Sequence, residues 1–389
     1  MLDRKAVRES ARGIRDRFGA RIDLDTQVRF LSPSDQQVVE ILRALLHNPS
    51  VLLLDEPTSS LTQESVDMLY EIIGRVIRQG VGVIFISHKL EEVFKIADRV
   101  TVFRDGQKVI TKPASELDRN SCIRYMTNRD IDQLYPSVSS LPSREPLLEV
   151  HDLSDGHKVH DVSFNVAAGE IVGFYGLVGA GRTELANLLY GISPVSGGEV
   201  VLDGKRISIR SPEDALRHGI FLVPENRAQH GLFDNFGLKE NLSIAVIDRL
   251  LGILGLINHK KESKVARQIA DNRDLSLVYT DIEQEIDSLS GGNKQKILIA
   301  RWLARRDGAR VIILDEPTQG IDIGVKHEIY KLLRDLAEQY HLAVIFISSE
   351  LLEVLGMSNR LYIFKEGTIV REFLRQETPD QEEVLRYAF

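Results

Sequence analysis

The sequence predicts an α/β protein in which one domain occurs twice in tandem, each copy a mostly parallel sheet covered by helices. Three observations lead there. The first is an internal repeat: Val51-Leu-Leu-Leu-Asp-Glu-Pro-Thr58 returns as Val311-Ile-Ile-Leu-Asp-Glu-Pro-Thr318, Ile84-Phe-Ile-Ser87 as Ile345-Phe-Ile-Ser348, and Phe103-Arg-Asp-Gly106 as Phe364-Lys-Glu-Gly367, at offsets of 260, 261 and 261. The second is an alternation of short apolar runs (51–54, 83–86, 311–314, 343–347) with amphipathic stretches (64–78, 325–339), the pattern of buried parallel strands and their crossover helices. The third is a glycine cluster at 176–181, set between a strand-like segment and a helix-like one.

Taken in order, residues 1–135 form the first copy, and its opening Leu31-Ser-Pro-Ser-Asp-Gln-Gln37 answers Leu289-Ser-Gly-Gly-Asn-Lys-Gln295 at an offset of 258. Residues 136–146, rich in Pro and Ser and without periodicity, read as a linker. The second copy spans 147–389 and has strand-like segments at 147–150, 162–166 and 170–175 before its glycine cluster. The first copy has nothing corresponding. Subtracting 260 from 147 gives −113, so about 110 residues that the repeat calls for would precede Met1, and the first domain is expected to begin in mid-domain.

Composition narrows the function classes. With 389 residues, 43% hydrophobic and 27% charged, each copy has enough apolar side chains for a core. Forty-nine basic against 57 acidic residues leave a net charge of −8, with no bulk positive field for a polyanion, so nucleic acid is not expected as a partner. Apolar runs stop after five to seven residues, short of the roughly 20 that a spanning helix needs. The charged start and the single cysteine, Cys122, point to a reducing cytoplasm, with Cys122, Trp302 and most histidines read as surface or core residues.

The chemistry-bearing residues fall at strand ends. Gly176-Leu-Val-Gly-Ala-Gly-Arg-Thr183 fits G-x-x-x-x-G-K-[ST] except that Arg182 stands for the lysine. In such a loop Gly176, Gly179, Ala180, Gly181, Arg182 and Thr183 turn backbone N–H groups and the helix N-terminus toward phosphate oxygens. Asp55-Glu56 and Asp315-Glu316 each close a buried strand. In each pair the aspartate, joined by Thr183 in the second copy, is suited to hold Mg²⁺, and the glutamate to act as general base on a water. Read singly, such a pair is also an ordinary strand cap; two copies followed by Pro-Thr favour chemistry. Ser290, Gly291, Gly292 and Asn293 open a helix whose N–H groups can clamp a phosphate, whereas Pro33, Ser34 and Asp35 keep the helix start and lose the clamp; taken alone, the motif fits two ordinary capped helices equally well. His88 ends a strand where it can donate to a γ-phosphate, although a lone histidine there is more often structural; Ser349 replaces it in the second copy.

On these motifs the chain resembles the tandem ATP-binding subunit of bacterial ABC sugar importers of the ribose, galactose, xylose and autoinducer-2 type. The resemblance rests on 176–185, Leu-Ser-Gly-Gly-Asn-Lys-Gln-Lys at 289–296 and Ile-Ser-Ser-Glu-Leu at 347–351, and it covers essentially the whole chain. It implies two P-loop NTPase (ABC ATPase) domains in tandem, the first truncated at its N-terminus, with a helical subdomain at about 236–300 in the second. It implies ATP and Mg²⁺ as cofactors, membrane permease subunits as partners with a periplasmic solute-binding protein acting indirectly, and a peripheral position on the cytoplasmic face of the membrane. It further implies head-to-tail sites: Asp55, Glu56 and His88 facing Ser290 to Asn293, and Gly176 to Thr183, Asp315, Glu316 and Ser349 facing the eroded Ser32 to Asp35. Thr62 where the family usually has Asp, and Glu225 near the usual glutamine, depart from the pattern. Two other readings stay open: a catalytically silent nucleotide-binding fragment, and a ribosome-associated tandem ABC factor, which the short linker and Pro33 disfavour.

Overall fold

The computed structural model describes every residue except 1–2, 21, 59–60, 62, 88, 105, 128–134, 137–144, 253–254, 273–274, 306–307, 375–376 and 378–379. It divides into two compact units, Met1–Asp130 and Ile131–Phe389. Most of the stretch read as a linker, together with His88 and Thr62, lies outside the described residues.

The first unit runs α1 (Arg4–Phe18), α2 (Pro33–Leu45), β1 (Val51–Asp55), α3 (Gln63–Arg78), β2 (Gly82–Ile86), α4 (Leu90–Ile96), β3 (Arg99–Arg104), β4 (Gln107–Pro113) and α5 (Arg119–Thr127). Val66, Leu69, Ile72, Ile73 and Val76 recur at helical spacing on α3, and all five are buried. Leu69 to Val76 share a core with Leu52 and Leu54 of β1 and with Ile41, Leu42 and Leu45 of α2. β1 and β2 pair in parallel, from Val51 opposite Gly82 to Asp55 opposite Ile86. β3 and β4 make a separate antiparallel pair.

The second unit comprises β5 (Pro146–Ser154), β6 (Val162–Ala167), β7 (Ile171–Gly176), α6 (Arg182–Tyr190), β8 (Gly197–Leu202), β9 (Lys205–Ile207), α7 (Pro212–Arg217), β10 (Ile220–Val223), α8 (Leu238–Ser243), α9 (Ile247–Leu250), α10 (His259–Ala270), α11 (Gly291–Leu303), β11 (Val311–Asp315), α12 (Ile323–Tyr340), β12 (Ala343–Ile347), α13 (Leu351–Met357), β13 (Arg360–Lys365), β14 (Thr368–Leu374) and α14 (Gln381–Ala388). Six strands form one sheet in the order β10-β11-β12-β7-β13-β14, parallel except for the antiparallel edge strand β14. The central strands are buried on both faces. Ile312, Leu314, Val344 and Phe346 enter a core with α12 and α13, while Val311, Ile313, Ala343 and Ile345 enter another with α6 and β5, β6 and β8.

That second core is closed by a four-stranded antiparallel sheet, β6-β5-β8-β9, which the expectation of a parallel sheet under helices did not contain. The segments at 147–150 and 162–166 read correctly as strands and pair with each other; the sheet is completed by β8 on the other edge of β5 and by β9 beyond it, which carry no comparable apolar run. The six-stranded sheet also places β7 between β12 and β13, so the chain must return to the centre to build it. Among the described residues no strand lies between β2 and β3, so β1-β2 and β3-β4 are separate pairs in the first unit, whereas their counterparts β11, β12, β13 and β14 share one sheet through β7. Tyr135 stacks its ring on Tyr330 of α12 at 5.3 Å between centroids, and a Cβ at Gly356 would overlap that ring.

Candidate functional site

β7 ends at Gly176, and α6 begins at Arg182. The turn between them requires glycine at both ends. A Cβ on Gly176 would overlap the carbonyl oxygen of Phe364, while Gly181 sits at φ +106°, where an L side chain is strained and its Cβ would come within 3.1 Å of Gly367 Cα. The loop is pinned from within and from outside: the Ala180 N–H donates to Leu177 O over 3.0 Å, and the Gly367 N–H in the β13–β14 turn donates to Ala180 O over 2.8 Å. Gly179, at φ +86°, completes a backbone whose middle residues Leu177 and Val178 are exposed.

Two strands over from β7, β11 delivers Asp315 and Glu316. Asp315 is buried, and burial pushes its carboxyl up to about 6, with the Thr183 side chain pulling it back and Glu225 adding to the rise. Its Oδ1 is buried without a hydrogen-bond partner among the described residues, which is an acceptor position open to a cation or its water. Glu316 is pushed up to about 7 by burial, partly offset by Arg182. Arg182, itself buried, places Nη1 3.5 Å from Glu316 Oε1, and Ser349 Oγ donates to Glu316 Oε2 over 3.2 Å. Glu316 also holds φ +46°, as does Glu56, and each donates its N–H across to the neighbouring strand, to Ile347 O at 3.0 Å and Ile86 O at 2.9 Å. Left-handed backbone at a non-glycine residue is costly and concentrates at functional turns.

Gly176, Gly179, Ala180, Gly181, Arg182, Thr183, Asp315 and Glu316 thus form one cluster in the second unit. In the first unit Asp55 is exposed and Glu56 half-buried at the end of β1, with no phosphate loop beside them among the described residues; His88 lies outside those residues.

Ser290 caps α11 by accepting from the Asn293 N–H, and Ser32 caps α2 by accepting from the Asp35 N–H, with backbone angles of −62° and 156° in one and −62° and 155° in the other. The helix starts are alike and the mouths differ. Gly291 and Gly292 leave the α11 end bare because a Cβ at 292 would overlap Val325 Cγ1, and one at 291 would come within 3.1 Å of Arg227 Nη2. At the α2 end, Ser32 Oγ also donates to Asp35 Oδ2 at 2.8 Å, so a carboxylate occupies the mouth. The Asn293 side chain is turned to its own chain, donating to Val278 O over 3.1 Å.

Sequence reasoning missed Arg227, whose guanidinium donates to Gln319 O at 3.1 Å and Gly320 O at 3.3 Å, and the buried group around Glu353. A lone arginine opening the short π-helical turn Arg227–Gly231 has no signature; Glu353 does, since Glu92 stands at the matching place in the repeat.

A family model described as ABC transporter matches residues 4–59 and 159–319. The ribose import ATP-binding protein RbsA of Lacticaseibacillus paracasei is 39% identical over 389 residues, covering 100% of this chain and 76% of that protein. The putative ribose/galactose/methyl galactoside import ATP-binding protein 1 of Agrobacterium fabrum is 40% identical over 388 residues, again 100% of this chain and 76% of that protein. Among solved structures, an ATP-binding cassette of an ABC transporter superposes with a TM-score of 0.53 at 21% identity, over 63% of this chain and 99% of that one, a likeness of fold.

Proposed function

The chain belongs to the ABC transporter family as an ATP-binding, ATP-hydrolysing subunit, and from that premise we propose that it energises import of a sugar or sugar-like solute through membrane permease subunits. The observation that carries the site assignment is the convergence of the phosphate loop with Asp315 and Glu316, seen in the 3.5 Å approach of Arg182 to Glu316. In this reading the N–H groups of Gly179, Gly181, Arg182 and Thr183 at the start of α6 hold the phosphates. Asp315 and the Thr183 hydroxyl would hold Mg²⁺, which when bound neutralises part of the phosphate charge. Glu316 accepts the proton of the attacking water, and a carboxyl at about 7 is matched to that task at neutral pH. Ser290 to Asn293 serve as the phosphate clamp, and Glu56 and His88 serve the first copy as base and γ-phosphate donor, with Asp55 toward the metal.

No helix among the described residues is long and apolar enough to cross a membrane, and the proposed place of the chain is peripheral, on the cytoplasmic face beside its permease. Relatives named for ribose and galactose import support the solute class. A second reading, a nucleotide-binding chain with slow turnover, is favoured by one contact set: Arg182 and Ser349 between them engage both Glu316 oxygens.

The experiment has two arms. Displacement of a fluorescent nucleotide by ATP should be weakened at least tenfold by Thr183→Ala with Asp315→Asn when Mg²⁺ is present. Cells deleted for the gene should lose uptake of labelled ribose or galactose; undiminished uptake of every sugar tried would sink the import reading, and binding without measurable turnover would select the second one.

A further inference from the structure

Behind the Asp315-Glu316 turn, Glu353 of α13 is 1% exposed, yet both of its oxygens are taken. Thr318 Oγ1 donates to Oε2 at 2.6 Å, and Ser348 Oγ donates to the same oxygen at 2.9 Å. Lys326 Nζ and Tyr330 OH reach Oε1 at 2.6 and 2.7 Å. Thr318 lies two residues after Glu316, and Ser348 immediately precedes Ser349, whose hydroxyl touches Glu316. One carboxylate therefore ties the loop leaving β11 to the loop leaving β12.

The repeat supplies an independent second case. In the first unit Thr58 Oγ1 donates to Glu92 Oε2 at 2.6 Å and Ser87 Oγ donates to it at 3.3 Å. Tyr70, the counterpart of Tyr330, is pushed up to about 12 by burial and by Glu92. The cation differs. Lys89 Nζ lies 3.3 Å from Glu92, whereas the residue matching Lys89 in the second copy is Glu350; the residue matching Lys326 in the first copy is Val66. Each glutamate thus has one lysine, from its own helix start in one copy and from the facing helix in the other. A buried carboxylate without a cation is driven to protonate and gives up an acceptor site. The lysine has changed place while the Thr-Glu-Ser tie has stayed, so what both copies keep is a glutamate that bridges two hydroxyls with a lysine beside it.

We propose that Glu353 is a positioning residue of the ATPase site, holding Glu316 and Ser349 at one fixed separation through Thr318 and Ser348, and that Glu92 does the same for the first copy. This rests on the ATPase reading above and adds to it a residue that touches neither nucleotide nor water. The lysine's role is to keep the tie charged: burial alone would lower the Lys326 ammonium, and Glu353 and Glu350 more than offset it.

The test uses the full chain. Thr318→Val with Ser348→Ala cuts both ties and leaves the Lys326–Glu353 pair, so the unit keeps its buried charges matched. Expected are a tenfold or greater rise in hydrogen exchange at the Glu316 amide, a tenfold or greater fall in ATP turnover, and an ATP dissociation constant within twofold of the unmutated chain. Lys326→Val should lose turnover to the same degree. Lys326→Val with Glu350→Lys, which copies the charge placement of the first unit, should recover it to within threefold. Unchanged exchange and turnover after the ties are cut, an equal loss of affinity and turnover, or no recovery from the relocated lysine would each overturn the proposal. Failure of the unmutated chain to bind ATP would instead remove the ATPase reading, while the exchange measurement still decides whether Glu353 ties the loops.

Discussion

Val51 and Val311 open the same strand of the repeat, yet Val51 is 56% exposed and Val311 is fully buried. Leu53 against Ile313, Ile84 against Ile345 and Phe103 against Phe364 show the same contrast, exposed in the first unit and buried in the second. The sequences are nearly interchangeable, so the difference comes from what packs on them. In the second unit β7, α6 and the antiparallel sheet cover the face that Val311 and Ile313 present. In the first unit the described residues place nothing comparable there, and the strands bury one face only, against α2 and α3. Strand sequence of this kind is written for burial on both sides, and an apolar row left open is a surface awaiting a cover.

The contrast can be broken by measurement, since each unit contains a reporter: Trp302, stacked on Phe221 at 4.6 Å, for the second, and the buried thiol of Cys122 for the first. The largest effect is expected at the paired strand position. Ile313→Ala should cost about 2–5 kcal/mol in unfolding followed by Trp302 fluorescence, because a fully packed side chain is removed. Leu53→Ala, at an exposed site, should change Cys122 protection by less than about 0.5 kcal/mol. Equal costs would mean that the open face of β1 is covered in solution.

Next comes pH. Asp315 and Glu316 are held at about 6 and about 7, above their ordinary values, so the folded unit binds more protons than the unfolded chain across that window. Stability of the nucleotide-free second unit should thus be highest below about pH 4.5 on this account and fall as pH rises toward 7. Glu316→Gln should remove on the order of 3 kcal/mol of that fall, read as a smaller difference between urea midpoints at pH 5 and pH 8. A pH dependence unaltered by the substitution would show that Glu316 is not the group responsible.

A smaller effect tests the two helix starts. Gly292→Ser brings a Cβ onto Val325 Cγ1 and should destabilise the second unit by about 1–3 kcal/mol. Adding Val325→Ser should return most of that loss, since the first copy pairs Ser34 with Ser65 at these places. No recovery in the double variant would separate the two substitutions. Smallest should be loss of the caps: Ser290→Ala and Ser32→Ala are each expected to cost about 1 kcal/mol, because their backbone angles match and each hydroxyl accepts one helix N–H, with Ser32→Ala the costlier since its hydroxyl also donates to Asp35.

The sequence by itself determined the elements that are local or repeated. The strands ending in Asp55 and Asp315, the helices α3 and α12, the turn from β7 into α6 and the caps at Ser32 and Ser290 all follow from apolar spacing, glycine and a side-chain oxygen acting over a few residues. Tertiary structure alone decided the rest. The insertion of β7 between β12 and β13, the antiparallel sheet over the second core, the approach of Arg182 to Glu316 across 134 positions and the bridging of Thr318 and Ser348 by Glu353 are all long-range. The physical reason is that a period of 2 or 3.6 records which face of an element is buried and nothing about its partner. The raised carboxyls of Asp315 and Glu316 have the same origin, because desolvation belongs to the packed environment and not to the residue type.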